Sequence, residues 1–322
     1  MRYLTIVSFF TFLLSLPLQA ALPALYEAEV EVSDQGVGAR SEGMGKAMAA
    51  VLLKVSGSGS VVENATVAVE MQQPARYVQQ YSYRNEVNGR LLLQVRFEPH
   101  GIDELLRRSG LNVWGDARPS TLVWLGVEDG GKRVLVGAND RGLVRDVIER
   151  EAARRALPVT LPQLDRSDLD NVRPADVWGE FLETIKGASQ RYAPQAILVG
   201  RAYPVSAGGW ETRWSLDYRG EIMRWQSASG EIAPLIAEAI DRVTDHMVST
   251  FTQNFADGSG EMVMQVEGVR NLRDYRRVIN YLKGTIGVKQ VVAESMSIPT
   301  VRLRIVAAVS YTHLTLPTKR IV

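Results

Sequence analysis

Few residues in this chain are suited to chemistry. Cysteine is absent, and only three histidines occur, His100, His246 and His313. Cysteine nucleophiles, thiolate zinc sites and cysteine-ligated iron–sulfur clusters are thereby excluded. Asp245 precedes His246, but adjacent helical residues point to different faces, so the two form no dyad. No third partner completes a hydrolytic set. Asp165, Asp168 and Asp170 lie close together. Their spacing lacks the glycine and distal glutamate of a calcium loop, and they read as solvated loop charge. Ser56-Gly57-Ser58-Gly59-Ser60 is rich enough in glycine to suggest phosphate binding. A phosphate loop ends in Gly-Lys-Ser/Thr and opens a helix, whereas this run follows one. It reads as a helix stop and a turn. No catalytic, cofactor-binding or metal-ligating set emerges, and no cofactor is expected.

Binding has two candidate groups. Trp210, Trp214 and Tyr218 recur at period two. They read as the core face of a strand, and as a flat platform for a glycan if exposed. Arg270, Arg273, Arg276, Arg277, Lys283 and Lys289 form a basic cluster. Such a cluster is a solvated helix face, or a surface for an acidic partner or lipid head groups. The candidate partner-binding residues are therefore Arg273, Arg276, Arg277, Lys283, Trp210 and Trp214.

The elements that must position these residues follow from periodicity. Residues 25–33 alternate as a strand. Met44, Ala47, Met48, Val51, Leu52 and Val55 share a helical face that Gly57 closes. Two strand-like runs, 81–83 and 91–97, flank the hairpin signal Asn88-Gly89. A short helix is expected over 102–108. A second unit opens on the apolar run 121–127, expected to be buried on both faces. Asp140 can cap a helix carrying Leu143, Val144, Val147, Ile148 and Ala152, ended by Pro158. An amphipathic helix is predicted over 176–192, with Val177, Trp178, Phe181, Leu182, Ile185 and Ala188 inward. A buried strand at 196–200 and a half-buried strand over 210–218 follow, the latter hairpinned at Arg219-Gly220 to 222–225. The spacing then predicts a long helix over 231–255, burying Ile232, Leu235, Ile236, Ala239, Ile240, Val243, Met247 and Phe251. Asp257-Gly258-Ser259-Gly260 reads as a linker. Beyond it come a strand, a helix over 271–283 with Leu272, Tyr275, Val278, Ile279 and Leu282 inward, and two strands at 288–293 and 300–306. This is the first two-thirds of a ferredoxin-like order. The fold class is α/β (α+β), in three small α/β units, the last a truncated ferredoxin-like β-α-β-β.

The ends of the chain add a location. Arg2, the apolar run from Tyr3 to Leu16, and Pro17-Leu18-Gln19-Ala20 have the three-part layout of a secretory signal cut before Ala21. The run is too short to span a bilayer. The expectation is a periplasmic protein with no stable membrane span after cleavage, and no lipid anchor, since no cysteine follows the signal. Residues 310–322 resemble a translated sequencing-adapter tail and are set aside from the fold. The expected organisation is a signal at 1–20, an N-terminal α+β domain at 21–115, a middle α/β domain at 116–257, a ferredoxin-like domain at 258–309 and the foreign tail. The chain carries 37 Lys and Arg against 36 Asp and Glu. Setting aside Arg2, Lys319 and Arg320 leaves a slight negative balance, which gives no overall electrostatic case for nucleic acid or an anionic membrane.

Several stretches carry a family resemblance. They are Ala47-Met48-Ala49-Ala50-Val51-Leu52-Leu53-Lys54-Val55-Ser56-Gly57, Gln79-Gln80-Tyr81, Ser189-Gln190-Arg191-Tyr192 with Ile197-Leu198-Val199-Gly200-Arg201, the Trp210/Trp214 strand, and Val266-Glu267-Gly268-Val269 leading to Tyr275 and Leu282. Together they resemble the domain of unknown function 2066 family of Gram-negative envelope proteins. The middle unit is also similar, at the level of fold, to the α/β domains of envelope assembly factors such as flagellar assembly protein T and penicillin-binding-protein activators. These motifs are structural, so no site residues carry over. The reading is an uncharacterised exported protein, a non-enzymatic periplasmic binding or assembly factor whose partner is an envelope protein or cell-wall component. The alternative is a carboxylate-dependent hydrolase acting on an envelope glycan or peptide.

Overall fold

A computed structural model describes residues 25–115, 118–206, 208–256, 260–283 and 288–307. The signal segment 1–20, the tail 310–322 and linker residues Asp257, Gly258 and Ser259 lie outside the described residues. So do the side chains of Phe251, Lys283 and Lys289.

Alternation in Glu27–Val32 makes strand β1. Helix α1 spans Val37–Ser56 and buries the expected face, Met44, Ala47, Met48, Val51, Leu52 and Val55. Gly57 ends it at φ 66°, a left-handed conformation that glycine adopts at little steric cost. A 3-10 turn at 61–63 leads to α2 (Ala65–Glu70), which is capped by Asn64. After a second 3-10 turn at 74–77, β2 (Val78–Asn85) and β3 (Leu91–Phe97) form the hairpin foreseen at Asn88-Gly89. Helix α3 (Pro99–Arg108) follows, and the Glu98 carboxylate accepts from the His100 and Gly101 amides at its start. The sheet order is β1-β3-β2, all antiparallel.

The middle sheet runs β5-β4-β7-β8-β9, with β6 beside β4. Its strands are β4 (Thr121–Asp129), β5 (Lys132–Leu135), β6 (Val159–Thr160), β7 (Ala196–Pro204), β8 (Trp210–Tyr218) and β9 (Glu221–Ser229). The parallel pair β4–β7 is buried on both faces, as its apolar run requires. Val123 and Leu125 face α4 (Leu143–Arg155) and the long helix α8 (Ile232–Ala256). Leu122 and Trp124 face α5 (Arg166–Asn171), α6 (Pro174–Trp178) and α7 (Leu182–Ser189). Ile232, Leu235, Ile236, Ala239, Ile240, Val243 and Met247 are buried along α8.

Two expectations here need correction. Asp140 does not cap α4. Gly142 occupies the cap position, and the Asp140 carboxylate accepts from the Gly137 amide in the preceding turn. The helix predicted over 176–192 is also interrupted. Gly179 and Glu180, the latter at φ 56°, break it into α6 and α7. The break turns Phe181 outward to 56% exposure. Apolar spacing continues through the break, so periodicity alone reads one helix where backbone geometry makes two.

The last described sheet is again β-α-β-β: β10 (Gly260–Glu267), α9 (Leu272–Lys283), β11 (Val288–Ser297) and β12 (Thr300–Ala307). Its antiparallel order β10-β12-β11 repeats that of the N-terminal sheet. Tyr275, Val278, Ile279 and Leu282 pack on Val301, Leu303 and Ile305. Leu272 is a correction: it is 61% exposed at the start of α9, not inward.

Candidate functional site

Helix α9 presents the basic candidates. The Asn271 side chain accepts from the Asp274 amide, which fixes the start of the helix. The Asp274 carboxylate accepts in turn from the Arg270 amide at 3.1 Å. With Tyr275, Val278, Ile279 and Leu282 turned toward the sheet, 3.6-residue periodicity places Arg273, Arg276 and Arg277 on the outer face. All three are exposed, and no described carboxylate pairs with them. Three like charges within one turn repel one another. Some surface arginines elsewhere are held by carboxylates, while Arg141, Arg173 and Arg219 are exposed singly without one. Arg84 reaches Glu29 at 2.5 Å, Arg90 reaches Glu86 at 2.6 Å, Arg96 reaches Glu27 at 2.6 Å, and Arg224 reaches Glu180 at 2.6 Å. The face is therefore an uncompensated positive stripe. Of the sequence candidates the structure brings these three together; the Lys283 side chain lies outside the described residues.

A second polar constellation joins α1 to the middle sheet. A helix C-terminus leaves carbonyls unbonded, and here donors from beyond α1 satisfy them. The Trp114 amide donates to the Val55 carbonyl at 2.7 Å. Arg118 donates through Nη2 to the Lys54 carbonyl at 2.5 Å and through Nη1 to the carbonyls of Arg155 and Ala156. Its guanidinium stacks on the Trp114 ring, 4.2 Å from the centroid. Arg155, only 2% exposed, donates to the Gly57 carbonyl at 2.8 Å and pairs with Asp241 at 2.7 Å and Asp245 at 2.5 Å. Both guanidinium groups suit the negative end of the α1 dipole. Burial, opposed by Glu27 and reinforced by Arg118, holds the Lys54 ammonium below the usual lysine range. A shallow groove of about 490 Å³ opens above the junction, lined by Ser58, Gly59, Ser60, Glu63, Asp245 and Ser249 among others. Gly57 sits beneath it: a Cβ there would lie 2.4 Å from Val248 and 2.7 Å from Trp114. The glycine-serine run is thus a helix stop packed against a neighbouring helix.

The aspartate trio is not solvated loop charge, as its spacing suggested. Asp165 caps α5 by accepting from the Asp168 amide, and it takes a bidentate bond from Arg191 at 2.7 and 2.8 Å. The Arg191 bond first, then the Asp168 amide, hold its pKa at about 2. Asp168 is buried and accepts from the Leu164 amide, the Arg191 guanidinium and the Tyr192 hydroxyl. Burial and the Asp168 bond push the Tyr192 phenol up to about 12. Asp170 is exposed and lies 3.7 Å from Arg166. Among the described residues no group of three or more histidine, aspartate or glutamate side chains is placed to hold a metal ion.

The aromatic stripe lies in the core beneath α8. Trp214 is 3% exposed and stacks on Trp225 at 6.3 Å, and Trp210 is half-buried. Gly200 permits this, because a Cβ there would meet the Trp214 ring at 2.2 Å. A buried Trp214 leaves no face for a glycan. His246 meets the Tyr218 ring edge-on at 6.4 Å, while Asp245 turns to Arg155, so the adjacent pair diverges as its helical spacing requires. His100 is exposed at the start of α3. The sequence reading missed Arg118 and Arg155. Nothing local marks them, because their partners lie across the fold.

A family model described as a domain of unknown function, DUF8605, matches residues 20–115. No curated protein matches the chain. The match agrees with an uncharacterised domain in the N-terminal part of the chain. It is not domain of unknown function 2066, the family expected from the sequence.

Proposed function

We propose that this chain is an exported, non-enzymatic binding or assembly factor of the cell envelope that engages an anionic partner through the outer face of α9. One observation carries the reading. Arg273, Arg276 and Arg277 are exposed together on one face of α9 without a described counter-charge. A repulsive arrangement of this kind is relieved when an anionic surface covers it. The layout of residues 1–20 supports export to the periplasm. The resemblance of the segments around β7 and α9 to the domain of unknown function 2066 family supports an envelope setting. The hydrolase alternative would need two carboxylates free to act on a bound substrate. The grouped carboxylates Asp165 and Asp168 are instead bonded to Arg191, which favours the binding reading.

The test is capture of envelope components by the purified full chain and by its R273E/R276E/R277E variant. Charge reversal is expected to abolish capture and leave the melting temperature unchanged, since exposed charge changes stay within about 0.5 kcal/mol. Equal capture by both would refute the reading. Turnover of an envelope glycan or peptide, lost on mutating a single carboxylate, would establish the hydrolase instead.

A further inference from the structure

We propose that the end of the third sheet where α9 begins is a peripheral membrane-docking tip, and that the anionic partner is a bilayer surface carrying anionic head groups. This rests on the reading that the outer face of α9 meets an anion, and it names that anion.

The geometry points to one end of the unit. Glu267 pairs with Thr300, so the end of β10 lies beside the turn between β11 and β12. The Val269 amide donates to the Pro299 carbonyl at 2.9 Å, tying the loop before α9 to that turn. Three large apolar side chains are left in solvent here: Ile298 at 68%, Leu272 at 61% and Met296 at 52% exposure. Single exposed apolar residues need no explanation. Three at one end, next to a basic stripe, form the amphipathic pattern of a segment seated at a membrane interface. Arg270 and Arg302 are also exposed at this end, and Arg273 follows Leu272 directly. The carboxylates at the same end are Asp274 and Glu267. Asp274 is occupied by the Arg270 amide, and Glu267 lies 3.4 Å from the Gln265 side chain.

Dimensions agree with this placement. From Arg273 to Arg277 the helix rises roughly 6 Å, close to the roughly 5–8 Å depth of one head-group layer. With Leu272, Met296 and Ile298 at the acyl boundary, the three outer arginines stand among the phosphates. An acidic protein surface would need only the arginines. The apolar trio beyond them adds an affinity for hydrocarbon that such a partner leaves unused. No helix among the described residues is long and apolar enough to cross a membrane, so the contact made by these residues is interfacial.

The experiment is flotation of the purified full chain with vesicles of phosphatidylcholine alone and of phosphatidylcholine mixed with phosphatidylglycerol. The chain is expected to float with the anionic vesicles only, and less at high salt. L272S/M296S/I298S should lower the bound fraction at least roughly tenfold, and R273E/R276E/R277E should abolish it. A second probe is independent of that triple variant: Ile298→Trp should shift its emission to the blue on anionic vesicles and be quenched by brominated acyl chains. No flotation with anionic vesicles, or flotation and emission indifferent to the apolar trio, would overturn the proposal. If vesicles fail but envelope capture still depends on the arginines, the anion is on a macromolecule. The lipid assignment then falls while the binding reading stands. If both fail, both fall.

Discussion

At the scale of single residues, charge is mostly committed to holding the fold. Asp165 has a folded pKa of about 2 against an ordinary value of 3.8. Because it is depressed, its contribution to stability is complete above the unfolded value and is lost as the pH falls from near 4 toward 2. Tyr192 is the opposite case, raised from 10 to about 12. Its contribution is complete below pH 10 and is lost as the pH climbs through 12. Denaturant titrations at stepped pH should therefore show an acid fall that D165N flattens and an alkaline fall that Y192F flattens. Identical slopes in variant and parent would contradict the assignment. Arg155 leads to a different expectation. Removing its side chain leaves the Gly57 carbonyl and the Asp245 carboxylate without this donor, while Asp241 keeps Arg154. Asp241 and Asp245 are partly exposed and recover water, which tempers the cost of breaking a buried pair. Arg155→Ala should destabilise by about 2 kcal/mol, read as a lower urea midpoint at unchanged slope. Gly57 was legible from sequence because a stop after a periodic helix is a local signal. Arg155 and Asp168 were not, since an arginine in a charged helix and an aspartate among aspartates look solvent-facing until distant partners fold over them.

At the scale of elements, the sequence was most legible where a period ran unbroken to a recognisable stop. Helices α1 and α8 and the hairpins around Gly89 and Gly220 lie where periodicity and turn chemistry put them. Legibility failed where backbone geometry overrode periodicity, at the left-handed Glu180 and at the exposed first residue of α9, Leu272. The turn at Arg219-Gly220 offers a check. Both residues have positive φ, 56° and 82°, the type I′ pattern that favours Asn-Gly. Arg219→Asn should relieve the strain of a long side chain in that region and stabilise by roughly 0.5 kcal/mol. A higher melting temperature supports this; a lower one would mean that the Arg219 contact over the Tyr218 ring outweighs the strain.

At the scale of the molecule, the N-terminal and middle sheets meet through a shared core. Trp114 packs with the α8 cluster, and Ala156 packs with the cluster beneath α1. The carbonyls ending α1 are bonded by Trp114, Arg118 and Arg155. Two of these donors lie beyond the matched stretch 20–115. Hydrogen exchange in the last turn of α1 should accordingly be faster in an isolated 21–115 fragment than in the full chain. Equal protection would show that the cap contributes nothing. Composition indicated a globular protein and excluded thiol chemistry, and periodicity indicated an α/β fold, but neither could reveal this junction, which depends on residues about a hundred positions apart.

The stripe on α9 is put to the test by one comparison. Capture from envelope extract is measured across a salt series for the parent chain, for R273K/R276K/R277K and for R273E/R276E/R277E. Salt-sensitive capture by the parent, retention by the lysine variant and complete loss in the glutamate variant at unchanged stability are expected. Capture by the glutamate variant equal to that of the parent would contradict it.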